Sequence, residues 1–321
     1  TGDLDMGGND VYNVRNYYPD PGGRLTLTSA TPVLVTEAAD QTTLYYALYK
    51  HDLVPLYDGT NWDVFRFTEL SIVMGSNWGA NSNFDCYVYN DGGTLRLVTG
   101  AAWTSDTARN ESLTRLNGRW TNNASMTGRY SNSATVTVAA NRGLYVGTFR
   151  TTGSTGTTTW EIGGSAVNGD PGLLYVWNNY NRVMASVLVQ DNTNSWTYTS
   201  STWRAVNASN TNRVSFVRGL NEDPYYARAI FTISHNGSGA DASCAVSLDA
   251  TDSFSGVPAY VAPNVNAATA FLQSVGFYNA LPGLGFHFLQ GTERTSGATA
   301  TFWGDAGASY AANGIYLVGL F

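Results

Sequence analysis

Residues able to do chemistry are few and scattered in this 321-residue sequence. His51, His235 and His287 stand alone, with no HExxH, Cys/His cluster or phosphate-cradling glycine loop. No GxSxG occurs where a strand would turn into a helix, which removes one common serine hydrolase arrangement. Two carboxylates suffice for glycoside hydrolysis, so the acidic pairs carry more interest. They are Asp106 with Glu111, Glu161 with Asp170, Glu222 with Asp223 and Asp249 with Asp252. Each pair lies in a polar stretch, where solvated carboxylates are ordinary. EF-hand spacing is absent. The expectation is a protein without catalytic residues, metal or cofactor.

Cys86 and Cys244 are far apart and in no metal-ligand spacing. Free cysteines favour burial, so two buried thiols are expected. A disulfide would need close Cα atoms, which sequence does not reveal.

Aromatic residues give the stronger signal. There are nine tryptophans, and Trp62, Trp160 and Trp177 fall in apolar strand patterns that predict core positions. Trp78, Trp103, Trp120, Trp196 and Trp203 instead sit among Asn, Ser, Thr, Asp and Arg. A sugar presents an apolar C–H face and a rim of hydroxyls, which an aromatic plate with polar neighbours matches. Arginine adds paired hydrogen bonds to uronic-acid carboxylates. The competing reading is that these tryptophans pack back onto the protein or across subunits. The stretch 190–210 combines Trp196, Tyr198, Trp203 and Arg204 with almost no aliphatic residue, and is the first candidate for a glycan site. Trp103 and Arg109 form a second.

The elements that must position these side chains are strands. Period-two or clustered apolar runs recur at 44–49, 53–57, 62–67, 84–89, 94–98, 173–177, 183–189, 213–218 and 229–234. FDCYVY and TLRLV flank Asn90-Asp91-Gly92-Gly93 and predict a hairpin. LYVGTFR (144–150) and TTWEI (158–162) look like another, and IYLVGL (315–320) like a buried closing strand. Short helices are expected at most at 69–75, 105–113 and 266–274. Many short strands between Gly/Asn turns predict an all-β fold of two β-sandwich, jelly-roll-like domains, 25–163 and 164–321. Segments 90–110 and 190–210 echo each other, through duplication or shared composition alone.

Residues 1–24 differ. Leu4, Met6, Val11 and Val14 are spaced among Asp, Gly and Asn, followed by the turn-rich Pro19–Gly23. So short a segment cannot bury its own apolar side chains, which predicts attachment or oligomerisation, or else a simple entry strand. The chain starts Thr-Gly rather than Met, as a processed or truncated form would.

Charged residues are only 13% of the chain and net charge is −7. Lys50 is the sole lysine among 17 basic residues, and no basic stripe exists for a phosphate backbone. Nucleic acid is therefore not an expected partner. No apolar run approaches the roughly 18 residues of a membrane span.

The segment LDMGGNDVYNV (4–14) resembles the LDM-x-GN-x-I-x-NV element of phage tail-fibre proteins, which often precedes a trimeric domain. The body, through LYYALY, LVPLYDG, YNDGGTLRLVTGAAWTSDTAR, VWNNYNRV and SWTYTSSTWRAVNASNTNRVSFVRGLNEDP, resembles virion-associated proteins of alphaproteobacterial phages and gene transfer agents. That resemblance spans 25–235 and leaves 236–321 unmatched. It implies a fibre or head-spike subunit on the virion surface, homo-oligomeric with a trimer favoured. Its implied partners are host-surface polysaccharide and other virion proteins, with no catalytic residues to carry across. A capsid-decoration or spike-base role without glycan binding, or a polysaccharide depolymerase, are the alternatives.

Overall fold

A computed structural model describes residues 18–235, 241–256, 259–261, 272–304 and 313–321. Leu4, Met6, Val11 and Val14 lie outside them. The fold is all-β, as expected, and among the described residues the helical content is one 3₁₀ turn, Val206–Ala208. No helix among them is long and apolar enough to cross a membrane.

Two large sheets dominate. An eight-stranded sheet holds Asn83–Asp91, Thr94–Ala102 and Leu144–Arg150, flanked by shorter strands. The expected hairpin forms its centre, and Gly92 and Gly93 take the positive φ values that its two-residue turn requires. A small sheet of Gly23–Thr26, Thr43–Leu48 and Leu70–Val73 and the pair Leu53–Tyr57/Trp62–Arg66 accompany it. Their inward residues Leu25, Leu44, Tyr46, Val54 and Ile72 join one core with Tyr87, Val98 and Phe149.

The second sheet is larger and curls. Met184–Asp191, Gly314–Leu320, Tyr225–His235 and Ala300–Trp303 form one flank. Thr158–Ala166, Asp170–Leu174, Arg213–Arg218, Gly285–Thr295 and Ala242–Leu248 form the other. A parallel contact of Ser165 and Ala166 with Gln190 and Asp191 joins them. Phe216, Tyr225, Phe231, Phe302 and Phe321 fill the interior. The closing strand, 314–320, is paired on both sides.

Several expectations change. Segment 69–75 contains a strand, Leu70–Val73, because the partner Thr43–Tyr46 supplies its hydrogen bonds. Segment 105–113 holds bends and the start of the strand Leu113–Leu116; of 266–274, residues 266–271 are outside the described residues and 272–274 open the strand Leu272–Ala280. Strands 144–150 and 158–166 are not a hairpin: the loop between them carries the chain from one sheet to the other. The division at 163/164 falls inside Thr158–Ala166, and residues 18–24 already belong to the body, where Arg24 is buried. The echo between 90–110 and 190–210 has no counterpart in topology. Thr94–Ala102 pairs with the strand before it, whereas Ser195–Tyr198 pairs with Ala300–Trp303.

Asp191 shows how loops are held. Its Oδ1 accepts the amides of Asn168 (3.1 Å) and Thr193 (2.9 Å). Its Oδ2 accepts Nδ2 of Asn207 and of Asn212, both at 2.9 Å. Burial alone would raise this carboxyl, but these donors outweigh it and hold it below the usual range. The stabilisation is therefore present above the unfolded pKa and lost as pH falls through the folded one. Asp191→Ala leaves these donors unpaired and should cost about 3 kcal/mol, read as a lower urea midpoint at unchanged slope.

Candidate functional site

The chemistry-bearing side chains divide into buried hubs and one half-exposed face. Trp103 is only 7% exposed, and Arg109 beside it donates from Nε to Asp85 Oδ2 at 2.6 Å. Arg109 lies 4.6 Å from the Trp103 ring and donates also to the Tyr145 hydroxyl (3.2 Å) and the Gly219 carbonyl. Thr148 donates to the other Asp85 oxygen at 2.6 Å. Burial opposes both charges, yet Asp85 more than offsets it for Arg109, whose guanidinium is held above its ordinary value. Trp103 and Arg109 are thus an internal joint. The exposed second platform expected there is corrected, because Asp85 draws the arginine inward and the tryptophan covers it.

Trp196 is corrected for the same reason. It is 9% exposed, stacked 6.3 Å from Phe302 and edge-on to Phe231 at 6.0 Å. Its Nε1 donates to Glu293 Oε2 at 2.7 Å. Arg204 stands directly opposite Glu293 across antiparallel strands and donates to Oε1 from Nε at 2.8 Å. Burial nevertheless raises the Glu293 carboxyl to about 7, against the pull of Trp196 and Arg204.

The half-exposed face lies around the turn joining Ser195–Tyr198 to Arg204. The Arg204 guanidinium covers the Tyr198 ring at 3.8 Å, and the Tyr198 hydroxyl closes the turn on the Thr202 carbonyl at 2.8 Å. Trp203, the neighbouring residue, packs its ring 5.1 Å from Phe254, which is 43% exposed. Arg294 lies 5.7 Å from the same indole and pairs with Asp241 at 3.3 Å. Successive residues of a strand face opposite ways, so Glu293 points inward to Trp196 and Arg294 outward to Trp203. Of the four residues expected in 190–210, the structure leaves Tyr198, Trp203 and Arg204 accessible. Phe254, Arg294 and Asp241 were missed because they are distant in sequence. An exposed phenylalanine in a Ser/Asp turn (DSFSG) was the available signal.

The other polar-loop tryptophans are also partly absorbed. Trp78 is fully buried, and Trp120 is half-buried 4.6 Å from the Arg115 guanidinium. Six of the eight candidate carboxylates are tied to donors. Asp106 meets Arg150, Glu111 accepts the Ala101 amide, and Thr159 donates to Glu161. Glu222 meets Arg115, Asp223 meets Arg182, and Asp249 meets His287. Both cysteines are free and buried, as expected, and burial pushes the Cys244 thiol up to about 11. Among the described residues no three metal-ligating side chains converge.

No protein-family profile and no curated protein matches the sequence. Distant structural likenesses include a structure of the Gt strain of infectious bursal disease virus, at 8% identity and TM-score 0.26, covering 88% of this chain and 68% of the other. The T=1 particles derived from infectious bursal virus give 10% identity and TM-score 0.24 over 94% and 75%. The insecticidal δ-endotoxin Cry8Ea1 of Bacillus thuringiensis gives 8% and 0.24 over 94% and 52%. Likeness at this level assigns neither a family nor a function.

Glu293 generates a pH prediction. A carboxyl raised in the folded state holds its proton there while the unfolded chain releases it, so stability falls as pH rises from about 4.5 to 7. A shift of this size corresponds to about 3 kcal/mol. Denaturation midpoints of wild type and Glu293→Gln across that window should converge at the acid end for this contribution. Only the wild type should lose it toward neutrality.

Proposed function

We propose that this chain is a virion-surface adhesion subunit, and that the Trp203–Phe254–Arg294 face takes host-surface polysaccharide. The observation that carries the reading is the accessible aromatic pair with a guanidinium over one of its rings. An apolar plate suits the C–H face of a sugar, and Arg294 with Asp241 offers donors and acceptors to hydroxyls. The virion assignment is supported by the tail-fibre-like LDMGGNDVYNV element and the resemblance of residues 25–235. Catalysis is not part of the proposal, since Asp106, Glu111, Glu161, Glu222, Asp223 and Asp249 are each held by an arginine, His287 or a local hydrogen bond. A reducing-end assay on host capsule should stay flat, and steady cleavage abolished by Glu222→Gln or Asp223→Asn would overturn it.

Trp203→Ala should weaken binding of purified host polysaccharide by about 1–3 kcal/mol, ten- to a hundred-fold. Its thermal midpoint should stay near wild type. Trp196→Ala is the contrast: a cavity in the aromatic core should cost about 3–5 kcal/mol of stability. If the Trp203 variant binds undiminished, the site lies elsewhere.

A second reading, a structural part of the virion without glycan binding, has its own observation. A groove of about 230 Å³ is lined by Val33, Val35, Ile162, Val176, Val183 and Met184, with Val35 and Met184 well exposed. A groove with two exposed apolar side chains at its rim suits an apolar side chain of a protein partner. Removing residues 1–17, which leaves Arg24 and its strand intact, should abolish oligomerisation or virion attachment while the body stays folded. Light scattering and particle incorporation decide that: unchanged mass and unchanged incorporation would remove the attachment role.

A further inference from the structure

An antiparallel sheet with one face in solvent turns polar side chains outward. The first sheet does so at its edge. There Thr127 pairs with Thr137 and Arg129 with Thr135, the less buried positions of their two strands. The flank built on Tyr225–His235 does the opposite. Its inward residues, among them Tyr225, Ala227, Ala229 and Phe231, are buried, so the alternate positions face out. Strand pairing sets Leu188, Tyr316, Arg228 and Phe277 in one outward row across four strands. Val318 and Tyr226 flank that row on one side, Ile230 and Val275 on the other. Leu188 and Phe277 are 38% and 41% exposed, and Met184, two rows along, is 72% exposed. Arg228 is the only charged residue at the outward positions of these strands.

Two quantities point to what covers this face. Four strands roughly 4.8 Å apart, with rows roughly 7 Å apart, give it an area on the order of 500 Å². Two such faces together bury about 1,000 Å², the size that a specific interface must reach. The other quantity is charge. The chain carries a net charge of −7, so two copies approach best where carboxylates are missing, and the outward positions here hold none. Arg228 already lies 5.1 Å from the Tyr316 ring. A two-fold axis along the strands, between 225–235 and 314–320, sets each Arg228 over the Tyr316 of the other copy. The cation then meets an aromatic ring and not a second cation.

We infer that this face joins two copies of the chain, sheet against sheet, in an aligned sandwich packing. The inference is independent of the glycan reading. It also differs from the attachment role of residues 1–17, because it puts the contact on the folded body. Light scattering of the full chain over a concentration series should give twice the monomer mass of 34.5 kDa. Leu188→Glu combined with Phe277→Glu should give the monomer, with a far-UV spectrum like that of wild type. Val64→Glu, equally exposed but in the strand Trp62–Arg66, should keep the dimer. Ser186→Cys reads the same face with a minimal change, since Ser186 is exposed opposite Val318 and both native cysteines are buried. Its thiol should react with a maleimide at least tenfold more slowly than the same thiol in the double-glutamate background. A monomer at every concentration, a dimer that survives both glutamates, or equal labelling in the two backgrounds overturns the inference. Dissociation on removing residues 1–17 while the double-glutamate variant stays dimeric also overturns it, and assigns association to that segment.

Discussion

The ion pair between Arg109 and Asp85 is the constraint on which the two sheets jointly depend. Asp85 sits fully buried in the central strand of the first sheet, with Thr148 of the neighbouring strand on one oxygen and Arg109 on the other. Arg109 also reaches the carbonyl of Gly219, at the end of a strand of the second sheet. That approach needs glycine, since a Cβ there would lie 1.8 Å from the Tyr145 hydroxyl. Beside it, the Phe286 amide donates to the Asp106 carbonyl at 2.8 Å, and Arg150 lies 3.7 Å from the Phe286 ring. A buried pair gains little over apolar packing, but removing one partner strands the other charge. The junction is therefore fixed more by the cost of breaking it than by the gain of making it.

Arginine does this work throughout because a planar guanidinium can stack and donate at once. Arg96 lies 4.1 Å from Tyr130 while paired with Asp91, and Arg204 lies 3.8 Å from Tyr198 while paired with Glu293. An ammonium would supply charge without the flat surface. A chain with so many aromatics and so little charge gains both contacts from Arg96, Arg109, Arg115, Arg150, Arg182, Arg204 and Arg294, which gives a physical reason for favouring arginine over lysine.

The strand content and the 83–102 hairpin were legible because both rest on local signals, alternation and a Gly-Gly turn. The separation of 144–150 and 158–166 into different sheets was not, since either sheet could accept the second strand and only distant partners decide. The site residues were half legible. Polar neighbours suggested that Trp196 is exposed, but in a strand those neighbours face the other way: Ser195 and Thr197 are exposed while Trp196 is buried. Reading SWTY with period two would have set Trp196 and Tyr198 on one face. Trp103 gave no such warning, because the Asp85 that draws Arg109 beneath it belongs to another strand.

The exposure of an aromatic side chain here depends on where the acid that holds its arginine lies. At Trp103 the arginine is paired to an acid that is itself buried, Asp85, and aromatic and guanidinium sink together. Trp203 stays half-exposed because Arg294 is held outward by Asp241 at the surface, while the adjacent Glu293 is held inward by Trp196 and Arg204. The strand alternation thus separates a buried carboxylate from an accessible guanidinium one residue away. Strand direction sets where Arg294 points, while Trp203 and Phe254, which it accompanies, stand in loops.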